Sequence, residues 1–231
     1  VWSNIELVDN ISDIKHPVIK AVLNFYGVSR GTELHHQGDL PSRAGLGSSS
    51  SFAVGLVHAV TEILGKQLSK KELADQAICV EKDILGETVG IQDQIAAAFG
   101  GLNRVVIKPD GDYDVYPVQI DVDRLAHFEE HIVLIYTGVS RFSSDVAANT
   151  VANFGKNKKA LHRIRELVDI GYNSIVAGQL EDIGPLLDES WHLKRSLDKG
   201  VSPKFVDQIY KKAISAGATG GKVLGAGGGG F

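Results

Sequence analysis

From Pro41 to Ser51 the chain reads Pro-Ser-Arg-Ala-Gly-Leu-Gly-Ser-Ser-Ser-Ser and runs straight into Ala53, Leu56, Val57, Val60, Ile63 and Leu64. Spacings of three and four make those apolar residues one face of a buried helix ending at Gly65. The loop Gly45, Leu46, Gly47, Ser48, Ser49, Ser50 therefore sits at a helix N-terminus. Backbone N–H groups at such a start, opened by glycines that permit close approach, form a cradle for phosphate oxygens. A serine hydroxyl there can also complete the oxygen shell of Mg²⁺. The competing reading is a capped turn, but one cap needs one serine and the run holds four.

Phosphoryl transfer further needs a carboxylate for the metal and a group that positions or deprotonates the acceptor hydroxyl. Glu81, near the C-terminal end of a second helical pattern, and Asp93, in the first turn of a third, supply the two. Each alone also fits a bland role, a solvated surface acid or a charge stabilising a helix start. It is their combination with the loop that points to chemistry.

The elements that must hold these residues follow from periodicity. Val18, Ala21, Val22 and Phe25 mark a helix over Pro17 to Tyr26, and Thr32 to His36 reads as a short strand. Ser69 followed by Glu72 is a capping-box pattern opening a helix that continues to Gly86. Ile91 to Phe99 is a short helix closed by Gly100-Gly101. Leu102 to Lys108 and Tyr113 to Ile120 flank Pro109-Asp-Gly-Asp112, which predicts a hairpin. His131 to Tyr136 reads as another strand, followed by helical patterns near Ser144 to Asn153, Ala160 to Ala177, Leu180 to Leu197 and Pro203 to Ala216. The class expected is α+β.

Composition bounds the partners. The 231 residues are 43% hydrophobic and 23% charged, which excludes disordered and collagen-like classes. A formal charge of −4 gives no basic field for nucleic acid. Apolar runs such as Ile132 to Tyr136 are too short to span a bilayer. One cysteine, Cys79, allows neither an internal disulfide nor a cysteine metal cluster. A soluble, cytoplasmic protein with a small-molecule partner is the expectation. The chain starts at Val1, contains no Met and stops within a glycine run, so it reads as a piece of a longer protein.

Other chemistries match poorly. Gly225-x-Gly227-x-x-Gly230 resembles a dinucleotide fingerprint but lacks the following helix and acid. Ser49 has Gly47 before it but Ser51 where a nucleophile elbow needs glycine. The eight histidines show no metal-ligand spacing and are read as structural.

Taken together, Pro41-Ser-Arg-Ala-Gly-Leu-Gly-Ser-Ser resembles the second, ATP-binding motif of the GHMP (galactokinase, homoserine, mevalonate and phosphomevalonate kinase) superfamily. Lys222-Val-Leu-Gly-Ala-Gly-Gly-Gly-Gly-Phe231 resembles that family's third, glycine-rich motif. Val80-Glu81, Gly90-Ile-Gln-Asp-Gln-Ile-Ala-Ala-Ala-Phe-Gly-Gly-Leu-Asn103 and Tyr136-Thr-Gly-Val-Ser-Arg141 are similar to the subgroup of sugar 1-kinases acting on D-glycero-D-manno-heptose 7-phosphate, with Ile95 where that subgroup has Tyr. The family's first motif is absent.

The resemblance implies an ATP-dependent sugar kinase of two parts, residues 1–128 like a ribosomal protein S5 domain 2 and 129–231 ferredoxin-like, with ATP between them. It implies that Ser49 and Glu81 hold Mg²⁺, that Pro41 and Gly45 to Ser50 bind the nucleotide phosphates, and that Asp93 acts on the sugar hydroxyl. Arg141 and Lys194 would take a sugar phosphate, a fork and a point charge suited to its oxygens, with Gly227 and Gly228 contributing to the substrate site.

Overall fold

The computed structural model describes residues 5–29, 31–39, 44–87, 90–139 and 154–231. The chain divides into two units: Val1–Arg43 with Gly47–Gly101, and Ala44–Leu46 with Leu102–Phe231.

The first unit is helical. Helix α1 (Pro17–Phe25) starts on a proline, whose missing N–H costs nothing at that position, and the His16 ring accepts from Ile19 N. Helix α2 (Ser48–Ile63) follows the glycine-rich loop, and α3 (Lys70–Cys79) opens with the expected capping box, Ser69 and Glu72 each taking the other's backbone N–H. Helix α4 (Gln92–Phe99) closes the unit. The core is small and β-branched: Val22, Ala53, Val57, Ala77 and Val80 lose all exposure, with Leu56 and Leu73 beside them. Truncating Leu56 to Ala there costs about 2–5 kcal/mol.

At Cys79 the α3 path widens into a π-helical turn, Val80–Ile84, in which Leu85 N donates to Val80 O at 3.0 Å. Turns of this kind often sit at functional positions. The predicted helix therefore extends past Cys79 to Ile84, two residues before Gly86, only by changing its winding. The expected strand over Thr32 to His36 is not formed. The only ladder among the described residues joins two later strands, and an alternating pattern without a partner has no hydrogen bonds to hold it extended. Instead His36 packs its ring on Phe52 at 4.5 Å, and His16 packs on the same ring at 5.2 Å. Those two histidines are structural in this sense.

In the second unit β1 (Asn103–Ile107) and β2 (Tyr113–Pro117) form the predicted antiparallel hairpin, with Val105 opposite Val115. Gly111 takes a positive φ of 91° in the turn, and Lys108 reaches both Asp112 and Asp114. Helix α5 (Val122–Glu130), capped by the Asp121 carboxylate on Arg124 N at 2.9 Å, was not anticipated. His131 to Tyr136, expected as a strand, pairs with no other strand among the described residues, and Val133 is 77% exposed.

Helices α6 (Phe154–Ala177) and α7 (Ile183–Leu197) pack together, tied by Arg163 to Glu189 at 2.6 Å. Helix α8 (Lys204–Ser215) completes the unit around a core of Trp191, Val201, Val206 and Val223. The helix expected near Ser144 to Asn153 lies outside the described residues. The mixture of helices and a hairpin is the α+β class expected.

Candidate active site

The start of α2 is organised by a glycine. Gly47 occupies the N-cap position with φ 66° and ψ 24°, and no side chain caps the helix. That removes the capped-turn reading of the serine run. Gly47 can adopt this left-handed conformation without a Cβ penalty, and Ser51 N closes the first turn on its carbonyl at 2.8 Å. Of the four serines after it, Ser50 turns into the core, Ser48 is half-buried, and Ser49 and Ser51 are exposed.

Ser49 Oγ donates to Glu81 Oε1 at 3.1 Å, across 32 positions of sequence. Glu81 is only 1% exposed. Its placement has a local cause: it follows the buried Ala77 by four residues and Ala74 by seven, so it continues the apolar face of α3 into the π-helical turn. A buried carboxylate must be hydrogen-bonded. Its second oxygen, Oε2, accepts from Gln94 Nε2 at 2.5 Å.

Asp93, one residue earlier in the first turn of α4, lies against the loop. A Cβ placed on Gly47 would come within 3.0 Å of both Asp93 Cβ and Cγ. Burial pushes the Asp93 carboxyl above its ordinary range, partly offset by a hydrogen bond from Gln92. The first unit thus gathers a glycine-capped helix start, one hydroxyl and two carboxylates. Gln94 was not singled out from the sequence, although it stands beside Asp93. Its only sequence signal is that a polar residue shares the inward face of α4 with Ile95, and both are fully buried.

Among the described residues no group of three or more His, Cys, Asp or Glu could hold an ion. One carboxylate and one hydroxyl, both hard oxygens, instead match Mg²⁺, which takes few protein ligands and keeps waters and substrate phosphates. The pair fits that ion.

The glycine-rich terminus belongs to the second unit. Gly225, Gly227, Gly228 and Gly230 all have positive φ. Phe231 N donates to Ala44 O, Gly230 N to Val139 O, and Gly228 N to Val201 O at 2.7 Å. A Cβ on Gly230 would stand 2.2 Å from Ala44 O. The glycines are there because backbone meets backbone. Gly227 and Gly228 are buried, and the Gly228 N–H is already committed to the scaffold.

Lys194 is also tied to that loop. Its ammonium donates to Val223 O at 3.1 Å and to Gly225 O. Burial, together with the neighbouring Lys222 ammonium, lowers its pKa to about 8. Its contacts are backbone carbonyls of the loop, which sequence reasoning did not foresee. Pro41 and Arg141 lie outside the described residues.

Family models of the GHMP kinases match the chain twice, the N-terminal domain over residues 13–101 and the C-terminal over 172–231. The chain is 34% identical over 200 residues to D-glycero-alpha-D-manno-heptose 7-phosphate kinase of Campylobacter jejuni, covering 86% of this chain and 59% of that protein. It is 31% identical over 229 residues to mevalonate kinase of Pyrococcus abyssi, covering 95% of this chain and 64% of that one. Among solved structures, a D-glycero-D-manno-heptose 1-phosphate kinase from Bacteriodes thetaiotaomicron superposes with a TM-score of 0.73 at 26% identity, over 98% of this chain and 65% of that one. The fold, the helix-start loop and the two family matches define one class: the chain belongs to the GHMP kinase family. It spans about three fifths of the length of these two curated relatives. Among the described residues no helix is long and apolar enough to cross a membrane.

Proposed function

We propose that the protein is an ATP-dependent sugar kinase that phosphorylates the anomeric hydroxyl of D-glycero-D-manno-heptose 7-phosphate, giving the 1,7-bisphosphate. The observation that carries this reading is the Ser49–Glu81 hydrogen bond at a glycine-capped helix start, with the Asp93 carboxylate against the same glycine. The family supplies the donor, ATP, and the heptose 7-phosphate kinase relative supplies the acceptor.

In this reading the N–H groups of Gly45 to Ser50 hold the nucleotide phosphates at the positive end of α2. Ser49 and Glu81 hold Mg²⁺, which when bound neutralises phosphate charge. Asp93 orients the acceptor hydroxyl and takes its proton as the new O–P bond forms and the bond from the γ-phosphorus to the bridging oxygen of ADP breaks. Its raised pKa increases its proton affinity, which suits a general base. Positioning and charge neutralisation carry most of such a reaction. We place it in the cytoplasm, where ATP is available and a lone cysteine stays reduced.

The test is ADP release with a panel of acceptors: the heptose 7-phosphate, fucose, galactose and mevalonate. The expected result is turnover with the heptose phosphate above all others. Turnover with another member of the panel reassigns the acceptor. Binding of ATP and sugar without ADP release overturns the catalytic reading in favour of a sensor.

A further inference from the structure

Gln94 has no assigned role, yet it is fully buried and contacts the buried Glu81 carboxylate. Its amide can sit only one way round: an oxygen at 2.5 Å from the Glu81 carboxylate would be repelled, so Nε2 donates to Oε2. That fixes the other end. Gln94 Oε1 is buried with no hydrogen-bond partner. An unmet buried acceptor is a cost, and an apolar side chain of similar size would fill the same space without it. Packing therefore does not account for the residue.

The consequence for Glu81 is specific. One carboxylate oxygen is occupied by Gln94, and the other, Oε1, faces the Ser49 hydroxyl. We infer that Gln94 is a positioning residue that makes Glu81 a one-oxygen ligand and so selects Mg²⁺ over larger divalent cations. The inference rests on the proposed metal role of Ser49 and Glu81. Mg²⁺ demands near-octahedral geometry with single oxygens, whereas Ca²⁺ accepts six to eight and readily takes both oxygens of one carboxylate. Tying back Oε2 removes the two-oxygen mode that favours Ca²⁺. The arrangement also puts the carboxylate holder next to Asp93 in the first turn of α4, so one helix start orients both acids.

The test is calorimetric titration of the non-hydrolysable ATP analogue AMP-PNP into the protein with Mg²⁺ or with Ca²⁺, in wild type, Gln94→Met, Gln94→Asn and Glu81→Gln. Asn keeps the polarity but falls one methylene short of Glu81. Partners that orient a metal ligand typically contribute 10–100-fold in affinity. The expected result is a loss of about tenfold or more in Mg²⁺-dependent binding in both Gln94 variants, with Ca²⁺-dependent binding falling less. The Mg²⁺-to-Ca²⁺ affinity ratio should therefore drop by more than about threefold.

A ratio unchanged within about threefold in a folded Gln94 variant, while Glu81→Gln still loses metal-dependent binding, overturns the inference and leaves the metal site standing. If Glu81→Gln binds as wild type does, the metal site itself fails. Should neither Gln94 variant fold, a wild-type crystal structure with Mg²⁺ and AMP-PNP decides. Glu81 bound through one oxygen, with Gln94 on the other, supports the inference, and two-oxygen coordination ends it.

Discussion

Gly47 and Asp93 share one space. The α2 cap residue has φ 66°, and any Cβ on it would stand 3.0 Å from two carbons of the Asp93 side chain and 3.3 Å from its Oδ2. The glycine thus serves two needs, a left-handed backbone and the close approach of a carboxylate. Separating those needs is the first experimental task.

Gly47→Ala is expected to lose about 1–2 kcal/mol of stability from the left-handed conformation and to displace Asp93 as well. Gly65→Ala is the control, since Gly65 has φ 68° with nothing within 4 Å of its Cβ position. Both variants should melt lower, Gly47→Ala at least as far as Gly65→Ala because its Cβ also meets Asp93. Only Gly47→Ala should lose more than about tenfold in kcat/KM, given what a displacement near 1 Å costs a positioned group. Equal kinetics in the two variants would detach the glycine from the site.

Asp93→Asn keeps the shape and removes the charge. Turnover should fall by about 10²–10⁴-fold, the usual contribution of a positioned general base, while Mg·ATP binding persists. Stability has a definite sign. Burial raises the folded carboxyl above its unfolded value, so the folded state binds the extra proton and the wild type loses stability as pH rises through that window. The amide has no such cost. At neutral pH the variant should therefore melt no lower than wild type, and near-normal turnover would remove Asp93 from the mechanism.

Lys194 makes the third prediction, in the second unit. Its folded pKa of about 8 lies below the ordinary lysine value, so between about pH 8 and 10.4 the unfolded chain holds a proton that the folded one has released. Wild-type stability should rise with pH across that window relative to Lys194→Met, after the other titrating groups cancel in the difference. Denaturant melts of both proteins from pH 7 to 10.5 measure it. A difference that stays flat would mean the ammonium remains charged beneath the glycine loop.

Much of the candidate site is legible in the sequence because its parts are local signals. The loop of Gly45 to Ser50 announces a helix start through periodicity after it. Ser69 with Glu72, and Pro109 through Asp112, are short-range hydrogen-bonding and turn patterns that fold much as they read. Ser49, Glu81 and Asp93 stand out by residue type and order, and the structure brings Ser49 to Glu81 and Asp93 to Gly47.

What only the tertiary structure decided depends on partners distant in sequence. The segments at 32–36 and 131–136 have strand patterns, but a strand exists only where another lies beside it, and none does among the described residues. The Asp121 cap starts a helix that its weak apolar pattern did not announce. Lys194 is expected from the resemblance to take a sugar phosphate. Its ammonium meets the carbonyls of Val223 and Gly225, 29 and 31 positions away, and nothing in the spacing of those residues predicts that contact. Gln94 is the clearest case. An amide gives no periodic or charge signal, and its orientation was set only when the π-helical turn carried Glu81 to within 2.5 Å of it. Sequence determines which groups a chain can offer, while packing determines which of their atoms remain free to act.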